Sequence, residues 1–234
     1  MNLIDYLKPK NVNLSKKRLG PKKDGGYVIP ELVLEKCSSL FNYGVENEMN
    51  YEIEFAETYN KPVFMFDHTI TPINPTTINQ NLNYKHEGLG FTENCSDFIN
   101  HSDEYGFKEN VLLKIDIESN EYSYFENVNM DEIAKRCIGI IIEAHYISDI
   151  RWRERFFKMM DKINEHFILC HTHGNNFGST FNYDGIYVMD VVELSFIRKD
   201  LVEQIINDTE KYPINNLDYP NNPSRHEINL DFLS

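Results

Sequence analysis

Val111-Leu-Leu-Lys-Ile-Asp-Ile-Glu118 is a run of apolar residues that ends abruptly in two acids, Asp116 and Glu118. Such a run is typical of a buried parallel strand that delivers polar side chains to the carboxyl edge of its sheet. In open α/β sheets, ligands bind outside that edge. Two other strand-like runs, Pro62 to Asp67 and Ile138 to His145, end in the same way. Together the three runs predict one site at one edge of one sheet.

Length and composition restrict the class of protein. The chain has 234 residues, 41% of them hydrophobic, which predicts one globular domain with a substantial core. Within that domain we expect an N-terminal extension over 1–30, a core sheet over 31–200 and a C-terminal tail over 201–234. The net charge of -14 argues against nucleic acid as a partner.

The chain shows no sign of a membrane partner or of secretion. There is no apolar run of about 18 residues, so no membrane span is predicted. The N-terminus lacks the basic-then-apolar pattern of a signal peptide, and we expect a cytoplasmic protein. The four cysteines lack CxxC spacing, which favours small core residues in a reducing compartment. A homo-oligomer is compatible with the sequence, which does not specify the oligomeric state.

One segment is basic although the chain as a whole is acidic. Arg18 and four lysines fall within eight residues, just before Asp24-Gly-Gly-Tyr27. The segment is either a solvated basic turn or a binding site for a phosphate-bearing substrate, with Arg18 as the contact.

Strand-like and helix-like segments alternate along most of the chain. The best helix is Ile150 to His166, whose apolar residues recur at helical spacing. Asn50 to Tyr59 is a further predicted helix, and Ser96 suits the N-cap of a third that runs to about Asn100. This alternation, with a β-rich finish, predicts an α/β fold with a mostly parallel sheet, helices on both faces and a late antiparallel strand. The predicted strands are Ser39–Tyr43, Pro62–Asp67, Asn83–Glu87, Val111–Ile117, Ile138–Glu143, Phe167–His171 and Tyr187–Ile197.

The first strand and its turn predict the type of ligand. Tyr43-Gly-Val-Glu46 lacks both the G-x-G-x-x-G of dinucleotide enzymes and the G-K-[ST] of a P-loop, so it suits a ligand without phosphates. Glu46 could meet a cationic amine, and Asp67, followed by His68, could accept ribose hydroxyls. A ribose-bearing, amine-bearing ligand without phosphates is S-adenosylmethionine. The other interpretation of Asp67 is a solvated acid at a strand end.

The motif Leu113-Lys-Ile-Asp-Ile-Glu-x-x-Glu121 resembles the signature of FkbM-type S-adenosylmethionine-dependent methyltransferases. That family usually has glycine after the Asp-x-Glu, where this chain has Ser119. The resemblance implies a Rossmann-like, seven-stranded class I methyltransferase fold and, most often, O-methylation of a sugar or small alcohol. Further matching segments are 18–27, 66–69, 142–145, 173–176 and 217–223.

Methyl transfer to an alcohol needs a general base or a metal, because a hydroxyl is a poor nucleophile. His145 and His173 are the candidate catalytic residues, and His171 is a further candidate base. Asp116, Glu143 and His173 form a ligand set suited to Mg²⁺ or Mn²⁺, although Asp116 and Glu143 could instead bind cofactor or form buried hydrogen bonds. We also expect two amides, Asn175 and Asn176, to bond acceptor hydroxyls or only to shape a turn.

Three functions remain open from the sequence. The leading one is O-methylation of a sugar or nucleotide sugar, with Mg or Mn as an optional metal. The second is N-methylation of a small amine or phosphoramidate, which would need less help from a base or metal. The third is a degenerate methyltransferase fold that acts as a binding module.

Overall fold

The computed structural model describes residues 2–46, 48–206 and 210–233. Within them the chain forms seven α-helices, thirteen β-strands and three short 3-10 helices. The helices are α1 (Leu3–Leu7), α2 (Glu31–Lys36), α3 (Asn50–Tyr59), α4 (Phe98–Tyr105), α5 (Asn120–Asn127), α6 (Met130–Arg136) and α7 (Ile150–His166). The strands are β1 (Lys16–Leu19), β2 (Tyr27–Pro30), β3 (Ser39–Tyr43), β4 (Val63–Phe66), β5 (Leu82–Lys85), β6 (Gly88–Leu89), β7 (Cys95–Ser96), β8 (Val111–Ile115), β9 (Cys137–Ala144), β10 (Phe167–Gly174), β11 (Thr180–Tyr183), β12 (Ile186–Met189) and β13 (Val192–Arg198). The 3-10 helices are Pro75–Thr77, Lys199–Leu201 and Asp231–Leu233.

A central sheet organises the described residues. Seven strands lie in the order β10-β13-β9-β8-β3-β4-β5. The strands from β9 to β5 are parallel, whereas β13 runs antiparallel to both of its neighbours. Numbered by their appearance along the chain, these strands follow the order 6-7-5-4-1-2-3. This is the Rossmann-like, seven-stranded class I methyltransferase topology predicted from the sequence, including the late antiparallel strand.

Successive side chains of the central strands point to opposite faces of the sheet and pack in two separate cores. In β8, Val111 and Leu113 join one cluster, which also contains the apolar faces of α5 and α7. Leu112 points the other way and packs in a second cluster with residues of α2 and α3. Because successive residues of a strand face opposite sides, a strand buried on both faces must be apolar almost throughout. The polar exception in β8 is Lys114, which is buried close to the site.

The helix α7 begins and ends where the sequence pattern predicted. The Asp149 side chain caps its first turn by accepting a hydrogen bond from the Arg151 amide. Its predicted inward stripe is buried from Phe156 to Ile163, and Trp152 packs partly buried against the same core. In the described part of the chain, no helix is both long and apolar enough to span a bilayer.

Two local predictions were wrong. The predicted seventh strand, 187–197, is two separate strands, because β12 pairs with β11 in a small hairpin and only β13 enters the central sheet. The helix that we expected to begin after Ser96 is instead capped by Asp97, whose side chain accepts from the Ile99 amide, and it continues to Tyr105. Alternating apolar residues do not reveal which of two neighbouring sheets a strand joins.

The first thirty residues contain regular structure that the sequence pattern did not predict. Helix α1 packs on α7, with the Tyr6 ring stacked 5.0 Å from that of Phe157. Strands β1 and β2 form an antiparallel pair, and β2 is buried along its whole length. The Ser195 hydroxyl of β13 donates to the Val28 carbonyl at 2.6 Å, which anchors β2 to the sheet. As a result, Tyr27 reaches the carboxyl edge of the sheet.

The turn after β8 adopts a backbone conformation that favours glycine. Glu118 and Ser119 have φ values of 54° and 77°, and Ser119 begins α5 without a side-chain capping bond. Ser119 is the residue that stands where FkbM-type sequences usually have glycine. A residue with a side chain is strained in this left-handed region.

Replacing Ser119 with glycine should therefore stabilise the fold. We expect Ser119→Gly to raise the free energy of unfolding by about 1 kcal/mol, because relief of strain exceeds the added flexibility of the unfolded chain. Urea denaturation measures this change. The control is Ser123→Gly, an exposed position inside α5, which should lower stability by about 0.5 kcal/mol. Equal destabilisation by both substitutions would show that the backbone at Ser119 is not strained.

Candidate functional site

Two cavities lie side by side at the carboxyl edge of the parallel strands. The Glu143 cavity, of about 640 Å³, is bounded by the ends of β8 and β9 and by the loop before β2. The Asp67 cavity, of about 690 Å³, lies beyond β4. Four residues line both cavities, and we call them the junction: Gly44, Glu46, Asp116 and Glu118.

The junction depends on a close approach of two backbone segments. Gly44 follows β3 with φ +83°, and a Cβ atom at this position would overlap the Asp116 carbonyl oxygen. The Asp116 amide donates to the Tyr43 carbonyl at 2.9 Å, and the Gly44 amide donates to the Phe66 carbonyl at 3.1 Å. Because only glycine combines this φ value with this contact, Gly44 determines how close the ends of β3 and β8 lie.

The Asp67 carboxylate holds the turn after β3. Its Oδ2 accepts from the backbone amides of Val45 and Glu46, both at 3.1 Å. Its Oδ1 accepts from the amide of Thr69 at 2.8 Å and from the hydroxyl of the same residue at 2.6 Å. Burial alone would raise the pKa of this carboxyl, but these hydrogen bonds hold it below its usual value. Asp67 therefore carries a charge that fixes the loop between the two cavities.

The rest of the Asp67 cavity is apolar and aromatic with polar groups at intervals. Leu89 and Phe91 form part of its wall, and the ring of Phe91 stacks on Tyr124 at 5.8 Å. His68 and Thr69 contribute polar atoms. Its lining, as far as the structure describes it, includes no Lys or Arg. Such a cavity suits an aromatic base with hydroxyls or an amine, and it offers no charge to a phosphate.

The Glu143 cavity is strongly acidic. Eight of its lining residues are Asp or Glu, against two lysines and one histidine. The ammonium of Lys114 is already engaged, 3.1 Å from Asn42, 3.8 Å from Glu52 and 4.6 Å from the centre of the Tyr27 ring. The cavity therefore attracts cations and repels anions.

A buried tyrosine joins the two strand-end acids. The Tyr27 hydroxyl lies 3.1 Å from Asp116 Oδ2 and 3.2 Å from Glu143 Oε2. Burial raises the pKa of Asp116 to about 6 and that of Glu143 well above its usual value. The amide of Asn175 donates to Glu143 Oε1 at 2.8 Å. One phenolic proton cannot serve two ionised carboxylates, so Glu143 is the acid that we expect to hold a proton.

His145 is buried among four carboxylates. Its Nε2 lies 3.6 Å from Glu118 and Glu143 and 3.9 Å from Asp116, whereas its Nδ1 lies 3.5 Å from Glu121. Burial alone would lower the pKa of His145, but the surrounding carboxylates raise it to about 10. A raised pKa favours the protonated imidazole, which works against the predicted role of His145 as a general base.

The structure does not bring His173 to the other predicted metal ligands. Its Nδ1 lies 3.0 Å from Glu193 and its Nε2 lies 3.3 Å from Glu227, deep under the tail. The antiparallel strand β13 lies between β9 and β10, so Glu193 stands between Glu143 and His173 in the sheet. Two strand spacings, about 10 Å, therefore separate His173 from Glu143. His171 belongs to the same region and pairs with Asp218 at 2.9 Å.

Three further predicted residues serve the architecture in this structure. Tyr43 faces the core, with its hydroxyl 3.0 Å from His101. Arg18 donates to three backbone carbonyls of the loop and tail, so its charge holds the segment around Asp24 rather than facing either cavity. Asn176 bonds the backbone of the tail around Asn222.

The remaining predicted residues line the cavities. Gly44, Glu46 and Asp116 lie at the junction. Asp67 and His68 line the Asp67 cavity, whereas Glu143, His145 and Asn175 line the other one.

Sequence reasoning gave no role to several residues of the site. Tyr27 and Asp24 are both in the Asp-Gly-Gly-Tyr motif, but the pattern does not show that the motif enters the site. Asn221, in the tail, donates to Asp24 at 2.9 Å and to Glu193 at 2.6 Å. Glu121 lies in the quoted motif, and its position beside His145 is visible only in the folded chain.

The comparisons with known proteins indicate only distant similarity. No protein-family model matches the chain, and no curated protein matches it by sequence. Among solved structures, a Clostridium thermocellum protein described as an rRNA methylase is similar at 12% identity and a TM-score of 0.43, covering 72% of this chain and 94% of that one. The Methanococcus jannaschii fibrillarin, a pre-rRNA processing protein, is similar at 11% identity and a TM-score of 0.39, covering 70% and 68% respectively. The fold assignment rests on the strand order of the chain itself.

Two glycines with nearly the same φ allow the close approach at Gly44 to be tested. Gly106, at the end of α4, has φ +78°, and a Cβ added there would meet nothing within 4 Å, so Gly106→Ala should cost only about 1 kcal/mol of stability. Gly44→Ala should cost about 2–5 kcal/mol, because the Asp116 carbonyl must also move. Urea denaturation of both variants gives the comparison. Equal costs would show that the ends of β3 and β8 do not depend on this contact.

Proposed function

We propose that this chain is an S-adenosylmethionine-dependent methyltransferase that binds the cofactor in the Asp67 cavity and the acceptor in the Glu143 cavity. The observation that carries the proposal is the junction, where the two cavities meet at Gly44 and Asp116. Transfer of a methyl group needs donor and acceptor aligned across a short distance, which a shared boundary provides.

The residues of the Asp67 cavity fit this cofactor. Leu89 and Phe91 would pack against the adenine ring. Asp67 would accept the ribose hydroxyls, since the Thr69 hydroxyl can turn away and free a position on Oδ1. Glu46 at the junction would meet the ammonium group of the methionine part. The bound cofactor would supply an electrophilic methyl group on a positively charged sulfur.

The acidic junction has two effects on such a reaction. Carboxylates near the cationic sulfur favour binding of the charged cofactor over its neutral product. They are also groups that can receive the proton of the acceptor. The chain's own contribution is thus to align the two ligands, exclude water and accept a proton at the junction.

The resemblance to FkbM-type enzymes favours a sugar hydroxyl as the acceptor. The volume of the Glu143 cavity, about 640 Å³, is in the range of small-molecule sites. Asn175 at its wall can bond a hydroxyl. A nucleotide sugar fits the acid excess only with a cation to offset its phosphates. Assistance by a divalent metal stays part of this proposal.

The acid excess supports a second candidate, transfer to the nitrogen of a cationic acceptor. Eight acids with few unpaired cations favour an ammonium group.

A cofactor with a deuterated methyl group would separate the two candidates when it is tested with a matched set of acceptors: glucose, glucosamine and glucose 1-phosphate. Label on oxygen supports the first candidate and label on nitrogen the second. Cofactor binding with no methyl transfer to any acceptor of a broad panel would favour a binding module.

The cofactor assignment gives a direct binding test. We expect S-adenosylhomocysteine to bind at one equivalent by calorimetry, and Asp67→Asn to weaken it about tenfold to a hundredfold, the scale of a lost charged hydrogen bond. The control, Asp103→Asn, removes an acid of α4 that pairs with Arg136 at the surface and should leave the affinity unchanged. Failure of the wild-type protein to bind would refute the proposal. Equal affinity in both variants would remove Asp67 from the cofactor site.

A further inference from the structure

The imidazole of His145 lacks the hydrogen bonds that a buried polar ring normally makes. It is about 7% exposed as a side chain, and its Nδ1 has no hydrogen-bond partner among the described residues. Its Nε2 faces carboxylate oxygens at 3.6–3.9 Å, which is beyond hydrogen-bonding distance. Buried polar groups are normally satisfied, so a ring in this position indicates a missing partner.

The His145 ring and two carboxylates converge on one point. One ligand atom each from Asp116, Glu118 and His145 lies within 4.8 Å of the others. Asp116 and Glu118 follow β8, and His145 follows the neighbouring strand β9. Two carboxylates and one imidazole are a donor set for a hard or borderline divalent cation such as Mn²⁺ or Mg²⁺.

Buried groups behind these three residues would hold them in place. Glu121, fully buried, lies 3.5 Å from His145 Nδ1 and has one oxygen without a partner in the described part of the chain. A carboxylate behind a metal-binding histidine orients the ring and increases its basicity. The Tyr27 hydroxyl bonds Asp116 from the opposite side.

We infer that Asp116, Glu118 and His145 form a divalent-cation site at the junction of the two cavities. The cation would offset part of the acid excess and would occupy the space that the His145 ring leaves unbonded. This ligand set keeps Asp116 from the predicted one but has Glu118 in place of Glu143 and His145 in place of His173, which β13 keeps away. It assigns His145 to the metal rather than to proton abstraction. The role of the site in catalysis rests on the proposed function, but its existence does not.

Manganese binding to the chelator-treated, dialysed protein tests the inference without any assay of activity. Titration with Mn²⁺, followed by electron paramagnetic resonance of the free ion, should show one bound equivalent. His145→Gln and Glu118→Gln should each weaken binding at least tenfold. Glu118 is 64% exposed as a side chain, so its variant should keep the fold even where the buried histidine variant does not.

The control is Glu48→Gln, which removes one charge from the same cavity outside the three ligands. We expect it to change the manganese affinity less than threefold. Failure to bind one equivalent of Mn²⁺, or equal weakening of Mn²⁺ binding by Glu48→Gln and Glu118→Gln, would overturn the site. The acids of the cavity would then attract cations only diffusely, which is all that a cationic acceptor requires.

Calorimetry with S-adenosylhomocysteine on the same preparation separates the two proposals. Manganese binding without cofactor binding would support the cation site and refute the methyltransferase assignment. Cofactor binding without manganese binding would support the methyltransferase assignment and refute the cation site.

Discussion

The contact between Gly44 and the backbone carbonyl of Asp116 is the constraint on which the site depends. It joins the ends of β3 and β8, the two central strands of the parallel sheet. The loops after these two strands contribute residues to both cavities. Because there is no room for a side chain at Gly44, the two cavities meet at a thin boundary made of backbone and a few acids. A thicker boundary would keep two ligands too far apart to react.

The electrostatics of this boundary are unusual for a buried region. Burying several carboxylates together is unfavourable unless protons, hydrogen bonds or cations compensate. Part of the compensation is visible, since Tyr27 bonds two acids, Asn175 bonds one and Lys114 neutralises another. The environment of His145 shows that the compensation is incomplete. A cofactor with a positive sulfur, a cationic acceptor or a divalent ion would each supply the missing charge at the same place.

The sequence predicted the parts of the fold that depend on local patterns. Strand β3 and helices α3 and α7 have the predicted limits, because hydrophobic periodicity and strong end signals agree there. The β11–β12 hairpin was missed, because the alternation of apolar residues along β12 continues into β13. That alternation does not reveal where the chain leaves the hairpin and enters the central sheet. Acids that follow apolar runs predicted one site at the carboxyl edge of the sheet, and Asp67, Asp116 and Glu143 line the two cavities at that edge. The position of Ser119 was recognised as unusual, and its φ of 77° gives the reason.

Relations between distant segments could not be predicted in the same way. His145 and His173 look equivalent in the sequence, each at the end of an apolar strand. Insertion of β13 between their strands separates them, and that insertion is a property of the sheet order rather than of either segment. Tyr27 and Asn221 reach the site from the two ends of the chain, through packing of β2 on β13 and of the tail on Glu193.

A crystal structure of the protein with S-adenosylhomocysteine would show which of the two cavities holds the cofactor. We expect the adenosyl group in the cavity beside Asp67, Leu89 and Phe91, with the sulfur at the boundary next to Gly44 and Asp116. An adenosyl group in the Glu143 cavity, or a sulfur atom far from the Gly44–Asp116 contact, would refute methyl transfer across this boundary.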